Sequence, residues 1–207
     1  MEAPVSSPLL VVISAPSGGG KTTVCQQLLA ADRRLTRAVT CTTRAPRNGE
    51  REGIDYFFLD PEAFGRRVGA GEFLEHALVH GQHYGTLRAE VGSRLRQGRD
   101  VLLNVDVQGA ATIRSAAARD RDLAQALVTI FLTPASLAVL EERLRRRATD
   151  SEETIRQRLA AAREEVGQWR QFDYLVLSTT IAEDLRRMQV VLEAERMRQG
   201  RVQAPEL

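Results

Sequence analysis

Leu9-Leu10-Val11-Val12-Ile13-Ser14-Ala15-Pro16-Ser17-Gly18-Gly19-Gly20-Lys21-Thr22 is the stretch that decides the fold. Its first six residues form an apolar, β-branched run, which predicts a strand buried on both faces. A Gly-rich turn follows, and Thr22 to Ala31 read as a helix. Ala15 to Thr22 match the P-loop pattern G-x-x-x-x-G-K-[ST] except at the first position, where Ala15 replaces glycine. Glycines let successive backbone N–H groups turn toward an anion with no Cβ in the way. The helix N-terminus adds partial positive charge at the same point. Lys21 is placed to reach β- and γ-phosphates, and the Thr22 hydroxyl to bind a Mg²⁺ ion. The plainer alternative is an ordinary Gly-rich strand–helix turn. The strand before, the helix after, and Gly20-Lys21-Thr22 in register argue against it.

Outward from this stretch, similar apolar runs recur. Residues 101–105, 127–132 and 174–177 are further buried-strand candidates, with helical patterns between and after them. Ile155, Leu159, Ala162, Val166 and Trp169 step by four and three along one helix face. Leu185, Met188 and Leu192 do the same in the last helix. Strands alternating with helices predict an α/β fold with a parallel sheet covered on both sides. Two stretches break the rhythm. Residues 38–88 are rich in Thr, Gly, Arg and Tyr and hold short strand-like pieces, such as Asp55-Tyr56-Phe57-Phe58. They read as a small inserted β-rich unit. Residues 141–158 are dense in charge and read as a helix–turn–helix too polar for a core, with i,i+4 pairs such as Glu142–Arg146. Gly200 to Leu207 read as a frayed tail.

Composition bounds the partners. The chain has 207 residues, 43% hydrophobic and 27% charged, which is ordinary for a globular protein and too apolar for disorder. No apolar run approaches the roughly 18 residues a membrane helix needs. Met1-Glu2-Ala3-Pro4 has no basic n-region, so a signal peptide is not expected. A formal charge of +2 gives no ground for nucleic-acid binding. Cys25 and Cys41 have neither metal nor redox spacing and suggest a reducing compartment; the expected location is cytoplasmic. His76, His80 and His83 step by four and three, but Gly81 interrupts any helix there and no partner set completes a zinc site. Of 29 basic residues a single one, Lys21, is lysine.

A P-loop says nucleotide, not reaction. Thr42-Thr43-Arg44-Ala45-Pro46-Arg47 puts two arginines three apart around a proline, and paired guanidinium forks suit a second phosphate. Glu72-Phe73-Leu74-Glu75 and Gly81-Gln82-His83-Tyr84-Gly85-Thr86 bring a carboxylate, a phenol and a hydroxyl near two glycines. A carboxylate at Glu75 can accept two hydrogens from the N1–H and N2–H₂ edge of a guanine.

With these motifs, Gly53-Ile54-Asp55-Tyr56-Phe57-Phe58 and Asp106-Val107-Gln108-Gly109, the chain resembles the guanylate kinases from about Leu10 to Arg198. These are P-loop nucleoside monophosphate kinases that move a phosphoryl group from ATP to GMP. The resemblance implies a P-loop NTPase fold with a three-layer core at 1–37, 89–133 and 160–207. It places the phosphate loop at 15–22, a GMP-binding unit at 38–88 and an arginine lid at 134–159. It implies that Ala15 through Lys21, with Thr22 and Thr23, bind ATP, and that Thr22 holds Mg²⁺. Arg44, Arg47, Tyr56 and Tyr84 match positions that hold the GMP phosphate. Thr40, Glu75 and Asp106 match positions that read guanine, with Thr86 beside them. Lys21, Arg44, Arg143, Arg147 and Arg158 are the implied catalytic residues, the last three closing over the transferring group. ATP and GMP are the expected partners, with no nucleic acid or membrane, and the protein a monomer or small homo-oligomer.

Four sites depart from the family pattern. Thr40 replaces serine and keeps the hydroxyl. Asn104 replaces an acidic residue, which leaves metal handling to Thr22, the nucleotide phosphates and water, with Asp106 near. Ser178-Thr179-Thr180 replaces an Asn-Asp-Asp run at the adenine site, and Arg146 and Ala148 replace lid glycines. Two other readings compete. A P-loop kinase acting on a sugar phosphate would not need the edge-reading pair Thr40 and Glu75. A guanylate-kinase-like module gripping a phosphorylated protein usually has a degraded phosphate loop, and this loop is nearly complete.

Overall fold

β1 (Leu10–Ser14) is fully buried because both of its faces are covered. In the computed structural model, which describes residues 6–79, 81–146 and 151–202, it is the central strand of a five-stranded parallel sheet. On one side it pairs with β7 (Asp100–Asn104) and then β2 (Leu35–Arg37). On the other it pairs with β8 (Leu127–Pro134) and then β9 (Tyr174–Ser178). The pairing is in parallel register throughout, with Val11 opposite Leu102 and Val128. Parallel neighbours need crossovers, and helices supply them.

The period-two alternation of β1 sorts the core into two layers. Val11 and Ile13 pack with Val24, Cys25 and Leu28 of α1 (Lys21–Ala31) and Met188 and Leu192 of α8 (Ile181–Arg196). Leu10 and Val12 pack with Val91 of α3 (Arg88–Arg96) and with Ala110, Ile113 and Ala117 of α4 (Val107–Ala117). Leu123 of α5 (Arg121–Ala126) joins that second layer. Helices therefore cover both faces of the inner strands, as the apolar runs predict. The run 174–177 is an exception: β9 is an edge strand, and Leu175 and Leu177 on one of its faces are exposed.

Between β2 and α3 the chain builds a second sheet of four strands, in the order β4 (Tyr56–Phe58), β3 (Thr40–Thr42), β6 (Gln82–Leu87), β5 (Phe73–Val79). One face packs on α2 (Pro61–Gly69), where Phe64, Phe73, Cys41 and Leu87 form a separate small core. After β8, α6 (Leu137–Arg146) and α7 (Glu152–Gly167) pack on each other through Leu140, Leu144 and Ala162. The Ser151 side chain caps α7 by accepting from the Thr154 N–H.

Several details correct the sequence reading. β2 has only three residues and was not legible as a strand. Trp169 lies past the end of α7, in a short 3₁₀ turn, and is more than a third exposed. On α6 the i,i+4 ion pair is Glu141–Arg145 rather than Glu142–Arg146, and Arg145 also meets Glu152 of α7. Of the tail, Gly200 to Val202 are not frayed, and residues 203–207 lie outside the described residues. Arg201 is buried, donates to the carbonyls of Gln125 and Leu127, and pairs with Glu195, while Ser6 and Val202 form an antiparallel bridge. Polar ties of arginine to carbonyls carry no apolar signature, so the composition of the tail hides them.

Candidate active site

The turn after β1 has the conformation its glycines permit. Gly18 and Gly20 have φ of +85° and +91°, the left-handed region that side chains disfavour. A Cβ on Gly18 would also stand 2.7 Å from Leu144 Cδ2, so α6 rests directly on the loop. Gly20 is the N-cap residue of α1, which leaves the first helical N–H groups facing the turn. The Lys21 ammonium donates to the Val105 carbonyl at 2.6 Å. Burial lowers its proton affinity, against the opposing pull of Cys25, Asp106 and Glu165.

α1, the C-terminal end of β7 and the open face of the four-stranded sheet enclose a cleft of about 630 Å³. Strand alternation explains its lining. Tyr84 and Thr86 sit two apart on β6, as do Glu75 and Ala77 on β5, while Thr40 and Tyr56 are register partners on β3 and β4. All line the cleft, and so do Lys21, Thr22, Asn104 and Asp106. Glu75 is only 6% exposed and accepts from the Thr86 hydroxyl at 2.6 Å. Burial raises its affinity for a proton, the Thr86 hydrogen bond opposes that, and nearby Asp106 adds to it. Asp106 caps α4, its Oδ1 accepting from the Gly109 N–H at 2.7 Å.

Arg44 stands at the rim, its guanidinium 5.4 Å from the Tyr56 ring centroid and paired with Glu50 at 2.8 Å. The Arg47 side chain is exposed, while its backbone N–H donates to Glu50 at 2.7 Å. A second recess, of about 380 Å³, lies on the α6 side of the phosphate loop and includes Gly18, Gly20, Thr23, Arg143, Ser178 and Thr180. Arg143 Nη1 donates to the Ser178 hydroxyl at 3.0 Å, and Nη2 to the Thr179 carbonyl at 3.1 Å. The same Nη1 would lie 3.9 Å from a Cβ on Gly20, which puts this cation beside the loop. Arg158 is half-buried on α7, and Arg147 lies outside the described residues, as does His80. His76 and His83 fall on β5 and β6, and His83 stacks on Phe64; no group of three or more His, Cys, Asp or Glu converges as a metal cage among the described residues.

Three residues around these pockets escaped the motifs. Glu165 on α7 accepts from the Ser17 N–H at 3.2 Å, and burial raises its proton affinity. Glu50 binds both Arg44 and the Arg47 amide. Arg37 lines the cleft and lies 5.4 Å from the Tyr56 ring centroid. Only the closeness of Glu50 to Arg47, three residues on, offered a sequence signal. Glu165 is 148 residues from its partner.

Comparisons with known proteins agree with this geometry. The family model described as guanylate kinase matches residues 7–195. The chain is 43% identical over 193 residues to a guanylate kinase of Paramagnetospirillum magneticum, covering 93% of this chain and 87% of that one. It is 46% identical over 191 residues to a guanylate kinase of Anaeromyxobacter dehalogenans, covering 92% and 82%. The crystal structure of guanylate kinase from Anaplasma phagocytophilum superposes with a TM-score of 0.72 at 34% identity, over 96% of this chain and 92% of that one. A phosphate loop at the head of a parallel sheet, facing a cleft with a buried carboxylate, is thus joined to relatedness over nearly the whole length, and the chain belongs to the guanylate kinase family.

Proposed function

We propose that the protein transfers the γ-phosphoryl group of ATP to GMP, giving ADP and GDP, with Mg²⁺. The observation that carries this reading is Glu75: a buried carboxylate, steadied by Thr86, in the same cleft as Lys21. A carboxylate there matches the paired N–H donors of guanine and mismatches adenine, whose corresponding edge carries an acceptor. Thr40 and Asp106 line the same space and complete the base-reading set. Residues 38–88 then form the acceptor unit, 134–159 the lid, and the remainder the core. Tyr56, Tyr84, Arg44 and Arg47 hold the acceptor phosphate, with Arg44 already against the Tyr56 ring.

The donor phosphates lie on the loop from Ala15 to Thr23, and Lys21 shifts from the Val105 carbonyl onto their charge. Arg143, with Arg147 and Arg158, adds cations from the lid side. An acceptor-phosphate oxygen attacks the γ-phosphorus in line, the bond to the β–γ bridging oxygen breaks, and ADP leaves. No covalent enzyme intermediate forms, so the contribution of the chain is positioning and charge stabilisation. A divalent cation would be held by the Thr22 hydroxyl together with nucleotide oxygens and water, with Asp106 near. This fits a cleft with one hydroxyl at the loop and, among the described residues, no protein cage. When bound it neutralises phosphate charge.

A coupled ADP-release assay across GMP, AMP, CMP and UMP tests the reading. GMP is expected to dominate turnover. Equal rates for the four, or a preference for another base, would overturn it.

A further inference from the structure

The rim of the cleft holds an arrangement that phosphate binding alone does not require: a carboxylate beside an anion site. Glu50 grips Arg44 with both oxygens. Nη1 of Arg44 donates to Glu50 Oε2 at 3.0 Å, and Nη2 donates to Oε1 at 2.8 Å. Nη1 also donates to the Ala45 carbonyl at 2.6 Å. A guanidinium has five N–H donors in a fixed plane. Three are committed to Glu50 and Ala45, and the Tyr84 phenol also interacts with the guanidinium. Glu50 and Ala45 leave Nε–H and the second N–H of Nη2. These two lie on one edge of the plane and point the same way. The Arg44 backbone is fixed as well, its N–H donating to the Thr42 hydroxyl at 3.2 Å. Glu50 Oε2 additionally accepts from the Arg47 N–H at 2.7 Å, and the Glu50 N–H donates to the Arg47 carbonyl at 3.0 Å. One carboxylate thus ties together the two arginines of the turn.

We infer that Glu50 is a positioning residue for the acceptor phosphate: it occupies one edge of the Arg44 guanidinium, so that Arg44 meets the phosphate through its Nε/Nη2 edge. The inference rests on the reading of Arg44 as a phosphate ligand. Electrostatics alone would disfavour a carboxylate here, because it repels an incoming anion. The arrangement favours binding where orientation outweighs that repulsion. A bidentate fork-to-phosphate contact depends on the plane being fixed, and a fork held in advance loses less freedom on binding. Arg44 in turn holds the Glu50 carboxyl below the usual range, with the Arg47 amide adding to the effect, so the grip persists at neutral pH.

Titration calorimetry with GMP and with guanosine, on the wild type and on Glu50→Gln, Glu50→Asp and Glu50→Ala, separates the outcomes. Glu50→Gln keeps one acceptor oxygen and loses the two-oxygen grip. It and Glu50→Ala are expected to weaken GMP binding on the order of ten- to a hundredfold, with guanosine affinity unchanged. Steady-state rates should show the loss in KM for GMP, with kcat kept within about threefold at saturation. Glu50→Asp, which retains two oxygens, should recover part of the GMP affinity. Unchanged or tighter GMP binding in Glu50→Gln and Glu50→Ala would overturn the inference. So would equal losses for GMP and guanosine, since that is the mark of a general structural role. If the wild type binds GMP no more tightly than guanosine, the phosphate site itself is misread, and the inference falls with it.

Discussion

Single residues here carry opposing demands. Glu75 is buried where an ionised carboxylate is disfavoured, and the Thr86 hydroxyl offsets only part of that cost. Its proton affinity is raised in the folded state, so the native protein holds that proton to higher pH than the unfolded chain does. Stability associated with Glu75 is therefore fully present below about pH 4.5 and is lost as pH rises through the higher folded value. Glu75→Gln is expected to raise Tm relative to the wild type at pH 7, with the gain vanishing near pH 4. The same variant should erode discrimination of GMP from AMP, because sites built to hydrogen-bond a substrate discriminate by up to about 10⁴–10⁵. Thermal melts from pH 4 to 8 and paired kcat/KM values check both; a pH-independent Tm difference would contradict the burial argument. Lys21 shows the same tension, an ammonium whose charge is disfavoured by burial at the place where phosphate charge arrives.

At the scale of elements, the four-stranded sheet works because its two faces do different things. Thr40, Tyr56, Tyr84, Thr86 and Glu75 face the cleft, while Cys41, Phe73 and Leu87 pack on Phe64 of α2. Gly85 lies between Tyr84 and Thr86 and points the other way. A Cβ on it would stand 2.7 Å and 2.8 Å from the Phe73 ring and 2.9 Å from His76 Cβ. Gly85→Ala should therefore push β5 from β6 and cost about 1–3 kcal/mol, as overpacking does. Urea unfolding is expected to show a lower midpoint, and KM for GMP should rise because both neighbours line the acceptor pocket. An unchanged midpoint would mean that Phe73 rotates away freely. Legibility was uneven at this scale. The short strands around Tyr56 were readable, but their pairing was not: β3 runs parallel to β4 and antiparallel to β6. Strands of three residues carry too little periodicity to specify partners.

Across the whole molecule, chemistry and anchorage sit at opposite ends of the same strands. Asn104, at the end of β7, lines the cleft. Asp100, at its start, is fully buried and accepts from the Leu9 N–H at 2.8 Å and from Arg196 Nε at 2.9 Å. Arg196 reaches Asp32 as well, at 2.6 Å, so α8, β7 and the end of α1 share one ionic clasp. Removing one member of a buried pair strands its partner. Arg196→Ala is expected to cost about 3 kcal/mol in urea unfolding, with kcat/KM for GMP unchanged below the unfolding transition; a parallel loss of activity at full folding would show that the two ends are coupled. The sequence by itself determined the phosphate loop, four of the five parallel strands and the helices that cover them. Those features are local: turn geometry needs glycine at particular steps, and burial needs apolar residues at a particular period. Only the tertiary structure decided that Glu165 meets Ser17, that Arg201 anchors the turn at Gln199–Arg201, and that Glu50 takes one edge of Arg44. Hydrogen bonds between charged groups and backbone impose no periodicity, and an arginine or glutamate in such a bond reads in sequence like any solvated one.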